Sequence, residues 1–518
     1  MPTAVRLFSK AVPAALLLLL LVTAPASADA GHTHVGTVDI PLPPAVVWVL
    51  LAAIGTFLLY MVWRQGLLGR FQARSGANGR LDTSQADLAR TGGGGGALQG
   101  IRNYVATVRK FSRNARYFLA YALLSGLGTG IWNVMFNLYL LRLGFDIRFI
   151  GLYWLSNMLG HGLMAFPAGL IADMLGRRRT FFIATVISAV ARGVLLFTLE
   201  PWALLALAAL SGVGESFHGV TGGPFIMENS EPEERPHLFS INSSLLSIST
   251  FVGSISGGLL PIMWATVMEV PAVDPLAARL ALVIALPLTI VALAPLAFIH
   301  EKPVELVERI TDLLMLKNIV HGRAIAKLFI LNLLLGIAFG ITVRFFNIFF
   351  ADHLNASDGQ VGLILAIGAL GGAVTVLATP MLAARWGKVR TLTLSLACSV
   401  PFLMLMTAVP GATLVTLFFL IRGSIYGFSL PLGNQISMEL VVSKERGTTA
   451  GATHAAFDLG GGVGALTAGG IVAASGFAAA FAVASALILV PAMLYYIYFG
   501  YLDRQTQPIA EPQPILTR

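Results

Sequence analysis

Charge is scarce in this chain: Asp, Glu, Lys and Arg make up 11% of its 518 residues while 56% are hydrophobic. A soluble domain covers itself with roughly a quarter charged residues, so water on every side is excluded as the solvent. Cysteine is rarer still. The single Cys398 lies in an apolar run and reads as a small buried residue, which excludes disulfides within the chain and cysteine-based metal sites. The sequence has no Gly-x-x-x-x-Gly-Lys-Ser/Thr loop, so ATP hydrolysis is not expected of it. No nucleophile–base pair or metal-ligand cluster is recognisable, so an enzyme is disfavoured and no catalytic residue, cofactor or metal is expected. A formal charge of +9 could suggest nucleic acid, but Lys and Arg gather in short gaps between apolar runs, and that placement reads as membrane topology instead.

The amino terminus has its own organisation. Residues 1–30 run from Arg6 and Lys10 through the apolar stretch Ala11 to Val22 and reach Ala26-Ser27-Ala28, the form of a signal peptide with its cleavage site. An uncleaved anchor is the competing reading. Residues 31–65 contain a second candidate span, Ala45 to Trp63, followed by Arg64, Arg70 and Arg74, which places its carboxyl end in the cytoplasm. His32 and His34 precede it and read as part of a solvated tail. Residues 66–112 include the run Gly92 to Gly96 and form a flexible linker with a basic lead-in.

Between residues 117 and 501 the hydropathy marks twelve stretches, each close to bilayer length. The gaps on one side carry Arg177, Arg178, Arg179, Arg235, Lys388, Arg390, Lys444 and Arg446, against Arg142, Arg148 and Arg279 on the other, which fixes an inside amino end for this core. A shift of 211 positions lays Gly176 on Gly387, Arg179-Thr180 on Arg390-Thr391, Met227-Glu228 on Met438-Glu439 and Glu234-Arg235 on Glu445-Arg446. A shift of 210 pairs Gly126 with Gly336, Gly130 with Gly340, and Phe136-Asn137 with Phe346-Asn347. The expected fold is therefore all-α and membrane-integral: two parallel six-helix bundles, 113–300 and 325–501, related by a pseudo-twofold axis, plus the amino-terminal extra helix. Residues 301–324 join the bundles on the cytoplasmic side and 502–518 form a tail.

Between the second and third spans stands Gly169-Leu170-Ile171-Ala172-Asp173-Met174-Leu175-Gly176-Arg177-Arg178-Arg179. It resembles the signature loop of the major facilitator superfamily, with Met174 where a basic residue is usual. The resemblance covers roughly residues 113 to 501 and implies a secondary transporter working by alternating access. It also implies a conformational latch made of Gly169, Asp173, Gly176, Arg177, Arg178 and Glu228, in which Asp173 meets the amino end of the eleventh span at Gly447-Thr448-Thr449 and Arg177 reaches Glu228. Topological anchoring accounts for the arginines equally well. Gly253-Ser254-Ile255-Ser256-Gly257-Gly258 on the fifth span is similar to an element of the family's exporters, with Ser254 in place of proline; close helix packing explains such glycines too.

Ionised groups inside hydrocarbon cost at least ~2.5–3.5 kcal/mol at a helix centre, so each is a site candidate whose partner must be found. The candidates are Glu215 with His218 one turn on, Arg344, Arg422, and Asp458 one turn from His454, with Asn133, Asn137 and Asn347 adding hydrogen-bonding capacity. By analogy with the family, the first, fourth, seventh and tenth spans line a cavity, which would bring Glu215, Arg344 and Arg422 to a common water-filled space. Glu215 is then either a proton carrier or one half of a permanent ion pair. Arg192 and His161 read as structural, because their helices are expected to stand back from that cavity. The expectation is a multi-pass carrier, in a bacterial-type inner membrane, for a small organic solute, coupled to protons and leaning toward export. A transporter-like receptor or assembly subunit that has lost transport is the alternative.

Overall fold

The computed structural model describes residues 111–301 and 320–505, apart from 232, 233, 443 and 444. The expected signal peptide, extra helix and linker lie outside the described residues. Within them the chain is helical throughout and contains no strand. The helices are α1 (Arg113–Arg142), α2 (Ile147–Leu175), α3 (Arg177–Leu195), α4 (Pro201–Glu228), α5 (Arg235–Met268) and α6 (Pro275–Ala297) in the first half. The second half holds α7 (Gly322–His353), α8 (Asp358–Trp386), α9 (Lys388–Ala408), α10 (Ala412–Glu439) and the stretch Arg446–Phe499, which Gly476 divides into α11 and α12. Helix is the form these sequences must take in lipid, because it satisfies each span's backbone N–H and C=O groups internally. Eight of the helices are long and apolar enough to cross a bilayer by length and composition alone, counting Arg446–Phe499 once. The cationic start of α3 and its Arg192 keep that helix from being apolar enough by the same measure.

Local chemistry sets the breaks. Asp146 caps α2 by accepting from the Phe149 N–H at 2.8 Å, and Ser357 with Gln360 forms a capping box at the start of α8. Gly176 and Gly387, with φ of +88° and +92°, turn the chain between α2 and α3 and between α8 and α9. At the outer end of α7 the regular helix gives way to a 3-10 turn over Val343–Phe345 and a π turn over Phe349–His353.

Each half is drawn together by glycines at a spacing of four. Side-chain carbons at Gly336 and Gly340 on α7 would collide with the carbonyls of Phe457 and Gly461 on α11; those at Gly460 and Gly464 would collide with Leu333 and Ile337 in return. The first half repeats the arrangement, Gly126 against Ser249 and Gly130 against Thr250 and Gly253. Lipid tails are as apolar as leucine, so this close backbone approach, rather than escape from water, holds such helices.

Contacts between the halves gather at the Arg142 end of the molecule. There α2 meets α11, with Gly151 facing the Ala465 carbonyl and Gly469 facing that of Ile147, while α5 meets α8 through Gly258 and Gly362. Arg142 of α1 reaches Asp358 of α8 at 2.5 Å. At the opposite, basic end a side-chain carbon at Gly169, Gly447 or Gly451 would meet open space.

Candidate functional site

Where α1 and α7 cross, two repeat-related amides hold the halves. Asn137 Nδ2 donates to the Arg344 carbonyl at 2.6 Å and to Asn347 Oδ1 at 3.0 Å, while Asn347 Nδ2 donates to the Val134 carbonyl at 2.9 Å. Val134 and Arg344 are themselves 210 positions apart, so the clasp lies on the pseudo-twofold axis. Trp154 Nε1 donates to Asn137 Oδ1 at 2.9 Å. Both amides are buried and committed to the junction. Asn133 is exposed and adds its backbone carbonyl to Asn347 at 3.3 Å.

Beneath this closed end lie the ionised groups, in partnerships the sequence reading did not foresee. Glu215 Oε1 accepts from Arg192 Nη2 at 2.6 Å, which ties α4 to α3. Asp458 Oδ2 meets His161 Nδ1 at 2.6 Å, across the two halves from α11 to α2. Arg192 and His161, read from the sequence as structural, are the partners of Glu215 and Asp458. Gly160 and Gly212 let α2, which carries His161, pack closely on α4, and Gly214 lets α3, which carries Arg192, approach α4 at Ala184 and Ser188. His218 turns from Glu215 to the Tyr121 hydroxyl at 2.5 Å, and Asp458 takes His161 rather than His454 as its partner.

Arg344 projects over the Trp154 ring at 3.9 Å and lies in the field of Glu215 and Asp458. Arg192 stands 5.1 Å over Trp132, and the rings of Trp132, Phe136, Tyr153 and Trp154 follow one another at 4.7, 4.7 and 5.5 Å. An aromatic strip thus links the arginine of one half to that of the other. Arg422 is separate. It is 4% exposed and lies against Phe346 and Tyr426, so the expectation that it shares one open space with Glu215 and Arg344 gives way to a walled position inside the second half.

None of these charges is repeated. Glu215 maps onto Tyr426, Arg192 onto Leu403, His161 onto Gly372, Asp458 onto Ser247 and Arg422 onto Ser211. The scaffold is duplicated and the charged cluster is not. Among the described residues no group of three or more His, Cys, Asp or Glu side chains could hold a metal ion.

At the basic end Arg177 bridges Asp173 at 2.6 Å and Glu228 at 3.1 Å. Asp173 stays within its own half in this conformation, away from Gly447. Two carboxylates that sequence reasoning passed over complete this face. Glu301 caps α3 by accepting from the backbone N–H of Arg177 and, at 3.3 Å, of Arg178, whose guanidinium donates to the Ala297 carbonyl at 2.9 Å. Asp503 does the same for Val389 and Arg390 at 3.0 and 2.9 Å, and Lys388 pairs with Glu439 as Arg177 does with Glu228. The signal available was an acid at the exit of each half's last helix.

Glu445 caps the region where α7 and α11 begin. Burial pushes its carboxyl up, but the N–H of Val320 at 2.5 Å, the His321 ring at 2.8 Å and the His321 N–H outweigh it and hold the group below its ordinary value. A lowered carboxyl contributes stability above its unfolded pKa, about 4.3, and that contribution is lost as pH falls through the folded value. Glu445→Gln is therefore expected to lower the melting temperature at pH 7 and to flatten the acid limb below about pH 5, read by thermal denaturation across pH.

The sequence matches the family model of the Major Facilitator Superfamily over residues 117–314 and 328–515. No curated protein matches it. Among solved structures it is similar to the nucleoside transporter NupG, at 17% identity and a TM-score of 0.57, with 74% of this chain and 99% of that one covered. A bacterial homologue of the human lysosomal transporter Spinster, inward-facing and unoccupied, gives 14% identity and 0.58 over 74% and 97% of the two chains. A bacterial homologue of the iron transporter ferroportin, inward-facing, gives 16% and 0.58 over 74% and 98%.

Proposed function

Because the chain belongs to the Major Facilitator Superfamily, we propose that it is a proton-coupled secondary transporter of a small organic solute, working by alternating access. Its fold is that of a multi-pass membrane transporter and not of an enzyme. The observation that carries the reading is the unrepeated charged cluster beneath a closed junction and above an open basic end. A bundle could be held in register by symmetric contacts such as the asparagine clasp. Asymmetric charges at the boundary of the halves serve a ligand or a proton, and ionised groups in membranes mark such pathways.

In this cycle Glu215 and Asp458 are the proton acceptors. Protonation of Glu215 releases Arg192, and protonation of Asp458 releases His161 and with it a bond between the halves. Asp173 closes against the start of α11 when the basic ends come together, where helix N–H groups favour a carboxylate. The membrane is the inner membrane of a bacterial-type cell. Export is the direction we favour, on the resemblance of Gly253 to Gly258 to the exporter element.

The test is solute flux into sealed proteoliposomes under an imposed pH gradient, over a panel of organic anions and cations. Gradient-driven flux is expected to fall at least tenfold in Glu215→Gln and in Asp458→Asn, with gradient-independent exchange retained. Unchanged driven flux in both variants removes these carboxylates from coupling. Absence of flux for every solute favours the alternative, a receptor or assembly subunit that has lost transport.

A further inference from the structure

The carboxylates within the bundle are already paired: Glu215 with Arg192 and Asp458 with His161 at its centre, and Asp358 with Arg142 at the closed end. Of the three arginines inside the bundle (Arg192, Arg344, Arg422), one carries a charge that no carboxylate reaches. That charge belongs to Arg422. Arg344 is compensated in part by the fields of Glu215 and Asp458, whereas among the described residues the phenol of Tyr426 is the titratable group that acts on Arg422.

Arg422 is 4% exposed, and its Nε is shut off from solvent without an acceptor. Among the described residues no carboxylate lies within ion-pair distance of it. Its guanidinium sits 5.0 Å from the Phe346 ring and 5.6 Å from that of Tyr426. The two ring contacts together return less than the burial of an unpaired ion costs. A guanidinium is a rigid fork whose donors match a carboxylate in a bidentate pair. Side-chain carbons at Gly372 on α8 and at Gly423 on α10 would meet no heavy atom within 4 Å.

We propose that Arg422 receives the carboxylate of an amphipathic organic anion whose apolar body packs against the rings beside it. The inference rests on the transporter reading and narrows its solute class. It assigns α10 the anchoring of the solute and leaves Glu215 and Asp458 free for protons.

The test is thermal unfolding of the purified full-length protein in low-chloride buffer with benzoate, its neutral analogue benzamide, or chloride at equal ionic strength. Benzoate is expected to raise the melting temperature by several degrees and benzamide to leave it unchanged. Arg422→Met should raise the melting temperature without anion, because an uncompensated charge is removed, and should abolish the benzoate shift. Arg422→Lys keeps the charge without the fork and should weaken benzoate binding at least tenfold; it serves also if the methionine variant does not fold. Equal shifts with benzamide, no shift with benzoate, or a benzoate shift unaltered in both variants overturns the proposal. A chloride shift as large as that of benzoate makes this a halide site and overturns the organic assignment. Benzoate stabilisation without flux in proteoliposomes would retire the carrier reading and keep the site; flux without benzoate stabilisation would do the reverse.

Discussion

Gly340→Leu is expected to prevent the second half from folding, and Gly340→Ala to destabilise it by about 2 kcal/mol or more, the range for overpacked interiors. A side-chain carbon at 340 falls onto the Gly461 carbonyl and 2.8 Å from the Ala465 backbone nitrogen, and backbone cannot move aside as a flexible side chain can. The seam between α7 and α11 would have to widen along its length, losing the contacts made by Gly336, Gly460 and Gly464 together. Monodispersity on size exclusion and unfolding in detergent check this. Gly470→Ala is the control: that position is exposed, nothing lies within 4 Å, and alanine suits a helix better, so the change should be neutral or stabilising. A Gly340→Leu protein as stable as the parent would refute the seam's role.

Asn137→Ala combined with Asn347→Ala should shift the population toward a form open at the Arg142 end. Besides the longer bond from Asn347 Nδ2 to the Asn133 carbonyl, three cross-half hydrogen bonds of 3.0 Å or less disappear. At about 1 kcal/mol each this comes to roughly 3 kcal/mol, or about a hundredfold in the equilibrium. Labels on cysteines at Arg148 and Asp352, in a Cys398→Ala background, report the distance between the outer turns of the two halves. An unchanged distance distribution in the double variant would show that the clasp does not hold this state.

The repeat and the span order were legible because glycine and charge stand out against an apolar background, and the matching glycines prove to be those that pack α1 on α5 and α7 on α11. Partner choice among the ionised groups was not legible. Helical periodicity says which face of α4 carries Glu215, but not that α3 brings Arg192 to it rather than α7 bringing Arg344. The pairing of His161 with Asp458 spans 297 positions and depends on how closely α2 approaches α11. Glu301 and Asp503 escaped for another reason. A shift of 211 would send Glu301 to position 512, so equivalent caps stand at unequal places in the repeat.

The asparagine clasp carries a polarity that a duplicated scaffold does not supply. When two like amides meet on a twofold axis, one must give the proton and the other must accept it, and the two choices are equal in energy unless something nearby differs. Here the indole of Trp154 occupies the oxygen of Asn137, and the residue at the matching place is Leu365, which offers no N–H from its side chain. One ring nitrogen therefore selects donor from acceptor, and Trp154→Phe would leave the junction with two interchangeable hydrogen-bonding directions.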